Sequence, residues 1–261
     1  MTSPTSQTST VNPFSENNDN KPKKDNELER LIARRFIQRR DVFAVQRANG
    51  AYNPVNRKIT SSDLTEHLTG RKTYGHYVVD HQGRCRIIAL DIDWEDSVTF
   101  DGQEVNPREI FNTDHALKPR LIAAIRTVGD GLGWRLQRAW PKATVVTAFS
   151  GSKGIHIYGL IEKQILASDA RSVATDCLTS LGFSPVRGRN FFSHPYHPGL
   201  SVEVFPKQEK VTKSGYGNLL RLPLGVHQKT RKRGFFYRMD SPLSELWPDD
   251  PMRALSEGSL A

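Results

Sequence analysis

Asp91 and Asp93 are the residues whose type and spacing first suggest chemistry. They close the run Ile87, Ile88, Ala89, Leu90, Asp91, Ile92, Asp93, in which apolar residues lead straight into Asp-Ile-Asp. Such a run reads as a buried strand with two carboxylates at its end. Side chains on a strand alternate faces, so Asp91 and Asp93 share one face and Leu90 and Ile92 the other. Two carboxylates held so close repel each other unless a cation lies between them. Mg²⁺ and Mn²⁺ favour oxygen ligands, and a pair of such ions can clamp the oxygens of a phosphoryl transfer.

Four other segments carry residues that could act with this pair. Ser150-Gly-Ser-Lys-Gly-Ile-His156 joins a Gly/Ser turn to a lysine and a histidine. Backbone N–H groups in such a turn can cradle an anion, with Ser150, Ser152 and Lys153 as further donors and His156 within reach. It joins two strands and lacks the spacing of a Walker A loop. Glu203 alternates with Val202 and Val204, and on a strand beside Asp91 it would complete a three-carboxylate metal site. Arg221 interrupts an apolar stretch, Gly217–His227, expected as a strand. Its partner there is either a bound anion or an internal acid, and His227 follows. Arg231, Lys232 and Arg233 form an exposed basic run suited to a nucleic-acid backbone or to solvent. His194-Pro-Tyr-His197 has the residue types of a histidine-pair endonuclease, but Pro195 and Pro198 make it an irregular loop rather than a strand.

The elements that must position these groups follow from periodicity. Residues 1–26 are polar and are expected to be a disordered tail. Leu28, Leu31, Ile32 and Phe36 mark a helix, residues 41–47 a strand, Asn49-Gly50 a turn, and Ala51-Tyr52 a return strand cut short by Pro54. A short helix capped by Ser61, Ser62 or Asp63 runs to Leu68 and stops at Gly70. Tyr74–Val79 and Arg84–Asp93 are expected to pair as a hairpin. A helix over 119–128 ends at Gly129, Gly131 and Gly133. Strands at 144–149 and 155–161, a helix capped by Ser168 or Asp169 and closed by Gly182, and a strand at 201–205 complete the series. The order from residue 84 is β-α-β-β-α-β, the ferredoxin-like or RRM-like unit, whose first strand lies between the third and the fourth. Asp91, His156 and Glu203 then converge around one strand. Inward-facing acid and imidazole are costly on a sheet unless they bind something.

Composition narrows the partners. The 261 residues are 37% hydrophobic and 25% charged, with mean hydropathy -0.54. There is room for one large domain or two small ones. No apolar run could span a bilayer and no signal-peptide core is seen, so a cytoplasmic protein without a membrane partner is expected. Cys85 and Cys177 form no metal-binding pair. The net charge is +9, and nine Lys or Arg lie from Lys207 to Arg238 against Glu209 alone. Charge gathered in this way suits a polyanion.

Taken together, Asp91-Ile-Asp93, Ser150–His156 and Val202-Glu203 resemble the three signature segments of the archaeo-eukaryotic primase superfamily. The branch is the bacterial one found with conflict and CRISPR-type systems. Gly217–His227 resembles the closing element of that branch, and Phe43-Ala44-Val45-Gln46 and His67-Leu68-Thr69-Gly70 are similar to segments upstream. The resemblance covers roughly residues 40 to 237. Many members carry Asp where Glu203 stands, and the zinc module of archaeal and eukaryotic primase subunits has no counterpart. The resemblance implies an α+β fold: a palm over 81–240 with a basic closing segment, a smaller N-terminal module over 27–80, and a C-terminal tail over 241–261. It implies a template-directed nucleotidyltransferase, a primase-polymerase making DNA or RNA and able to start strands. Asp91, Asp93 and Glu203 would hold two Mg²⁺ or Mn²⁺ ions. Ser150, Ser152, Lys153, His156, Arg221 and His227 would bind a nucleoside triphosphate, and Arg231, Lys232 and Arg233 would follow a single-stranded DNA template. A helicase or nuclease partner would fit such an enzyme. Two other classes compete. A non-catalytic single-strand-binding module would show aromatics where this sheet shows acids. A metal-dependent nuclease needs the carboxylates but not Lys153, Arg221 and His227.

Overall fold

The computed structural model describes residues 23–212 and 215–260. The expected polar tail lies outside the described residues as far as residue 22, and its remaining residues, 23–26, form the start of a helix instead. Helix α1 (Lys23–Phe36) leads to strands β1 (Phe43–Gln46) and β2 (Tyr52–Val55), helix α2 (Ser61–Thr69) and strand β3 (Tyr74–Tyr77). Then come β4 (Arg84–Trp94), a small hairpin of β5 (Val98–Phe100) and β6 (Gln103–Val105), α3 (Pro107–Asn112) and α4 (Lys118–Ala139). The chain continues through β7 (Thr144–Phe149), β8 (Gly154–Leu166), α5 (Ala167–Ser180), β9 (Ser184–Pro185), β10 (Phe191–Ser193) and β11 (Leu200–Phe205). It closes with β12 (Leu219–Arg221), β13 (Phe235–Phe236) and α6 (Pro251–Glu257).

The larger sheet has seven antiparallel strands in the order β13-β7-β8-β4-β11-β10-β9. Its centre is the anticipated arrangement, with β4 between β8 and β11. Ile88, Leu90 and Ile92 of β4 are fully buried, as are Ile155 and Ile157 of β8. Helix α4 covers the face of Ile155 and Ile157, so His156 and Tyr158 project from the opposite face. There Phe36 of α1 meets Tyr158 edge-on, with ring centroids 5.2 Å apart. Asp91 and Glu203 share that second face.

Three expectations are corrected. Tyr74–Val79 and Arg84–Asp93 form no hairpin: β3 belongs to a separate four-stranded sheet, in the order β12-β3-β1-β2. The turn between them is tight, with the Asp80 carboxylate accepting from the N–H groups of Gln82 and Arg84, but it switches sheets. Second, Gly129, Gly131 and Gly133 do not end α4. Three helical glycines cost roughly 1 kcal/mol each. Burying Leu121, Ile125, Leu132 and Leu136 completely returns about 1.5–3 kcal/mol per side chain, so packing wins. A Cβ on Gly129 would lie 2.3 Å from Ile155 Cδ1, so this glycine allows helix and sheet to approach closely. Third, Gly217–His227 is strand only at β12, and that strand joins the small sheet.

Caps differ in detail. Helix α2 is capped by Thr60 in a capping box with Asp63, and Gly70 closes it in the left-handed conformation (φ 82°). The N-cap of α5 is Leu166, with no side-chain cap. Within 241–261, α6 buries Ala254 and Leu255 completely. No helix among the described residues is long and apolar enough to cross a membrane.

Candidate active site

Strand register sets one row across three strands. Asp91 stands opposite His156 on one side and Glu203 on the other, while Asp93 stands opposite Gly154 and Ser201. Directly opposed residues in antiparallel strands share a face, so these five polar side chains share one patch of sheet. Gly154 makes room for the second carboxylate, since a Cβ there would sit 2.0 Å from Asp93 Oδ1 and 2.6 Å from the Ile92 carbonyl oxygen.

The small sheet faces this patch, and between them is a cavity of about 440 Å³. Asp91, Asp93 and Glu203 line it together with Ser150, Ser152, Lys153, His156, Arg221 and His227. All nine catalytic and nucleotide-binding candidates named from the sequence thus reach one space. The same carboxylates also border a second opening of about 360 Å³, lined further by Glu95, Asp96 and Ser201.

Lys153 and Arg221 each have an internal partner. Lys153 donates to the Trp94 carbonyl and lies 2.9 Å from Asp96. Arg221 donates to the Ser150 carbonyl and so ties β12 to the Ser-Gly turn. His227 Nδ1 accepts from the Thr230 N–H at 3.2 Å. Burial, then Arg221, lowers the His227 pKa to about 4, so the ring is neutral and keeps Nε2–H as a donor. His156 Nδ1 and the Tyr158 hydroxyl are 2.6 Å apart.

The carboxylates are unequal. Burial works against ionisation of Asp91, but His156, Arg221 and Lys207 outweigh it and hold its pKa below the ordinary value. Burial, reinforced by the charge of Asp91, pushes Asp93 up to about 7. Glu203 lies 2.7 Å from Lys207 Nζ. Among the described residues no three His, Cys, Asp or Glu side chains form a ready-made metal group. The donor set nonetheless fits hard divalent cations. Asp91 Oδ1 is 3.1 Å from His156 Nε2 but makes no hydrogen bond, so a buried carboxylate oxygen faces the cavity unsatisfied. Burial and the neighbouring Asp91 charge hold Asp93 against ionisation, which a bound cation would relieve, and the Lys207 ammonium sits against Glu203.

Sequence reasoning missed several residues here. Gln46, Asn49, Gly50 and Tyr52 form the far wall, and Arg108, Lys207 and Lys229 add positive charge. The turn signal at Asn49-Gly50 was legible, but nothing local showed that the hairpin would face Asp91. Arg231 and Arg233 of the basic run are exposed, as expected, and Lys232 is half-buried, but Lys232 and Arg233 spend donors on backbone carbonyls. Lys232 donates to the Phe111 carbonyl at 2.6 Å, and Arg233 to those of Leu68 (2.6 Å) and Leu224 (2.8 Å). Arg231 reaches Gln228 Oε1 and is exposed. His194–His197 is a loop, with ring centroids 5.0 Å apart.

A ferredoxin-like sheet with a carboxylate pair at its centre, facing a cation-lined cavity, defines the class of palm found in nucleotidyltransferases. The family model described as "TOTE conflict system, Archaeo-Eukaryotic Primase domain" matches residues 47–249. The chain belongs to that family of primase-like nucleotidyltransferases. No curated protein matches it.

Proposed function

We propose that this chain is a template-directed primase-polymerase that joins nucleoside triphosphates on single-stranded DNA and can start strands. One observation carries the reading. A single cavity has Asp91, Asp93 and Glu203 on one wall and Arg108, Lys153, Lys207, Arg221 and Lys229 around them. That is the polarity a triphosphate needs: cations for its oxygens, and carboxylates for the metal ions that accompany it.

Asp91, Asp93 and Glu203 would hold two Mg²⁺ or Mn²⁺ ions. Bound there, the ions would supply activation of the attacking hydroxyl and neutralise charge on the leaving pyrophosphate. The rest falls to the chain. Lys153 would exchange Asp96 for a phosphate oxygen, and Arg221 would keep the Ser150 turn in place while offering its remaining donors. Ser150, Ser152 and the Nε2–H of His227 add neutral donors. His156, 3.1 Å from Asp91 on the neighbouring strand, would favour the charged form of that carboxylate. The second opening on the far side of the carboxylates suits the acceptor strand. Arg231, Lys232 and Arg233 would lie along the template, and a helicase or nuclease partner remains compatible with the reading. A nuclease would leave the five cations without a task.

The test is extension of a labelled primer on a single-stranded template with Mn²⁺, alongside the same template without primer. Template-dependent products are expected in both, and their loss in Asp91→Asn ties them to this site. Primed extension without unprimed products would limit the enzyme to elongation, and neither would overturn the reading.

A further inference from the structure

A second cavity of about 670 Å³ lies beside the candidate active site. Phe111, Phe149 and Phe235 form its floor, and Trp247 stands at its rim, 46% exposed. Phe111 and Phe149 stack with an interplanar angle of 11°, and Phe235 leans on Phe149 with centroids 5.3 Å apart. Lys118 and Lys232 line the same cavity. Among the described residues neither makes a salt bridge with a carboxylate. Lys232 donates to the Phe111 carbonyl, and Lys118 to that of Thr113 at 3.3 Å. Of the two acids at the rim, Glu245 accepts the Trp247 indole N–H, and Asp114 is exposed. Two ammonium groups without counter-ions beside aromatic surface suit an anion attached to a flat ring.

Residues close in the chain line this groove and the active-site cavity. Arg108 lines one and Phe111 the other, both on α3; Ser150 lines one and Phe149 the other; Lys229 lines one and Lys232 the other. A polymer seated at the carboxylates could continue into this neighbouring groove, whereas a free small molecule would gain nothing from that adjacency.

We propose that the groove binds a nucleotide of the single-stranded nucleic acid, its base against Trp247 and Phe235 and its phosphate between Lys118 and Lys232. That the strand is a template or primer rests on the polymerase reading; the binding itself does not require synthesis. Base–aromatic stacking is sequence-tolerant because every base has a π-face.

The test measures anisotropy of the full-length protein with a labelled oligothymidine. Trp247→Ala is expected to weaken binding ~10-fold and Trp247→Phe to retain it. On an oligonucleotide with abasic sites the Trp247→Ala defect should disappear. Lys118→Gln should lower the slope of log affinity against log salt by about 0.7, and this decides the matter if Trp247→Ala does not fold. Unchanged oligonucleotide affinity, a defect that persists on abasic strands, or loss confined to free ATP would each overturn the proposal. If the variants show these effects yet the wild-type protein makes no product, the polymerase reading is overturned and the groove stands.

Discussion

Asp93 and Glu203 differ in what restrains them, and the difference can be measured. The Asp93 pKa lies near 7 in the folded protein against an ordinary 3.8, so the folded state binds more protons between those values. Stability therefore falls as pH rises from about 4 to about 7 in metal-free protein. Asp93→Asn should be more stable than wild type at pH 8, by on the order of 1 kcal/mol after allowing for solvent screening, and equal to it near pH 3. Urea unfolding at the two pH values in chelator reads this out. Mn²⁺ should reverse the order at pH 8, raising the wild-type Tm and leaving the variant's unchanged; equal Mn²⁺ shifts would remove Asp93 from the metal site. Glu203→Gln keeps size and loses charge, releasing Lys207. Synthesis should be abolished while the circular dichroism spectrum and template affinity stay at wild-type levels. A Gln variant that polymerises normally would sink the third-carboxylate role.

At the scale of elements, alternation carried far. Glu203 between Val202 and Val204, His156 between Ile155 and Ile157, and the β-α-β-β-α-β order were enough to foresee the row across β8, β4 and β11, since register follows from which face is apolar. Arg221 marks where that logic stopped. Its apolar stretch reads as a strand but pairs with Tyr74–Tyr77 in another sheet, and local pattern does not encode the choice of partner. The three glycines of α4 misled for the opposite reason: their local signal was real, and tertiary packing overrode it. Two substitutions probe these elements. Arg221→Ala should raise KM for nucleotide ~10-fold with little change in template affinity, because it removes phosphate donors rather than a template contact. An equal loss in both would make Arg221 a general support of the Ser150 turn. Gly154→Ala places a methyl group against the Asp93 carboxylate and the Ile92 carbonyl. It should cost about 1–3 kcal/mol and abolish activity even where the protein stays folded. Wild-type kcat with unchanged urea midpoint would show that the sheet accommodates the methyl group elsewhere.

For the molecule as a whole, the excess charge is uneven, and the folded chain shows which part of it is free. Lys207, Arg221 and Lys229 line the cavity, so on the proposed reading they would act on a nucleotide rather than along a strand. Arg231 is exposed on the segment that continues toward the aromatic groove, and Lys232 and Arg233 spend donors on carbonyls of α2, α3 and the 222–227 turn. Those bonds do not cancel the charges, which still act on a nearby polyanion. Replacing Arg231, Lys232 and Arg233 together by Gln should weaken binding to single strands of any sequence. The slope of log affinity against log salt should fall by about 1–2, somewhat less than three full phosphate contacts on a single strand would give. The lost carbonyl bonds should also lower Tm by a few degrees, so binding is compared well below the transition. Sequence preference should not change, because phosphate contacts position a strand without reading it. An unchanged slope in a folded triple variant would put the template path elsewhere, past the N-terminal arginines of α1.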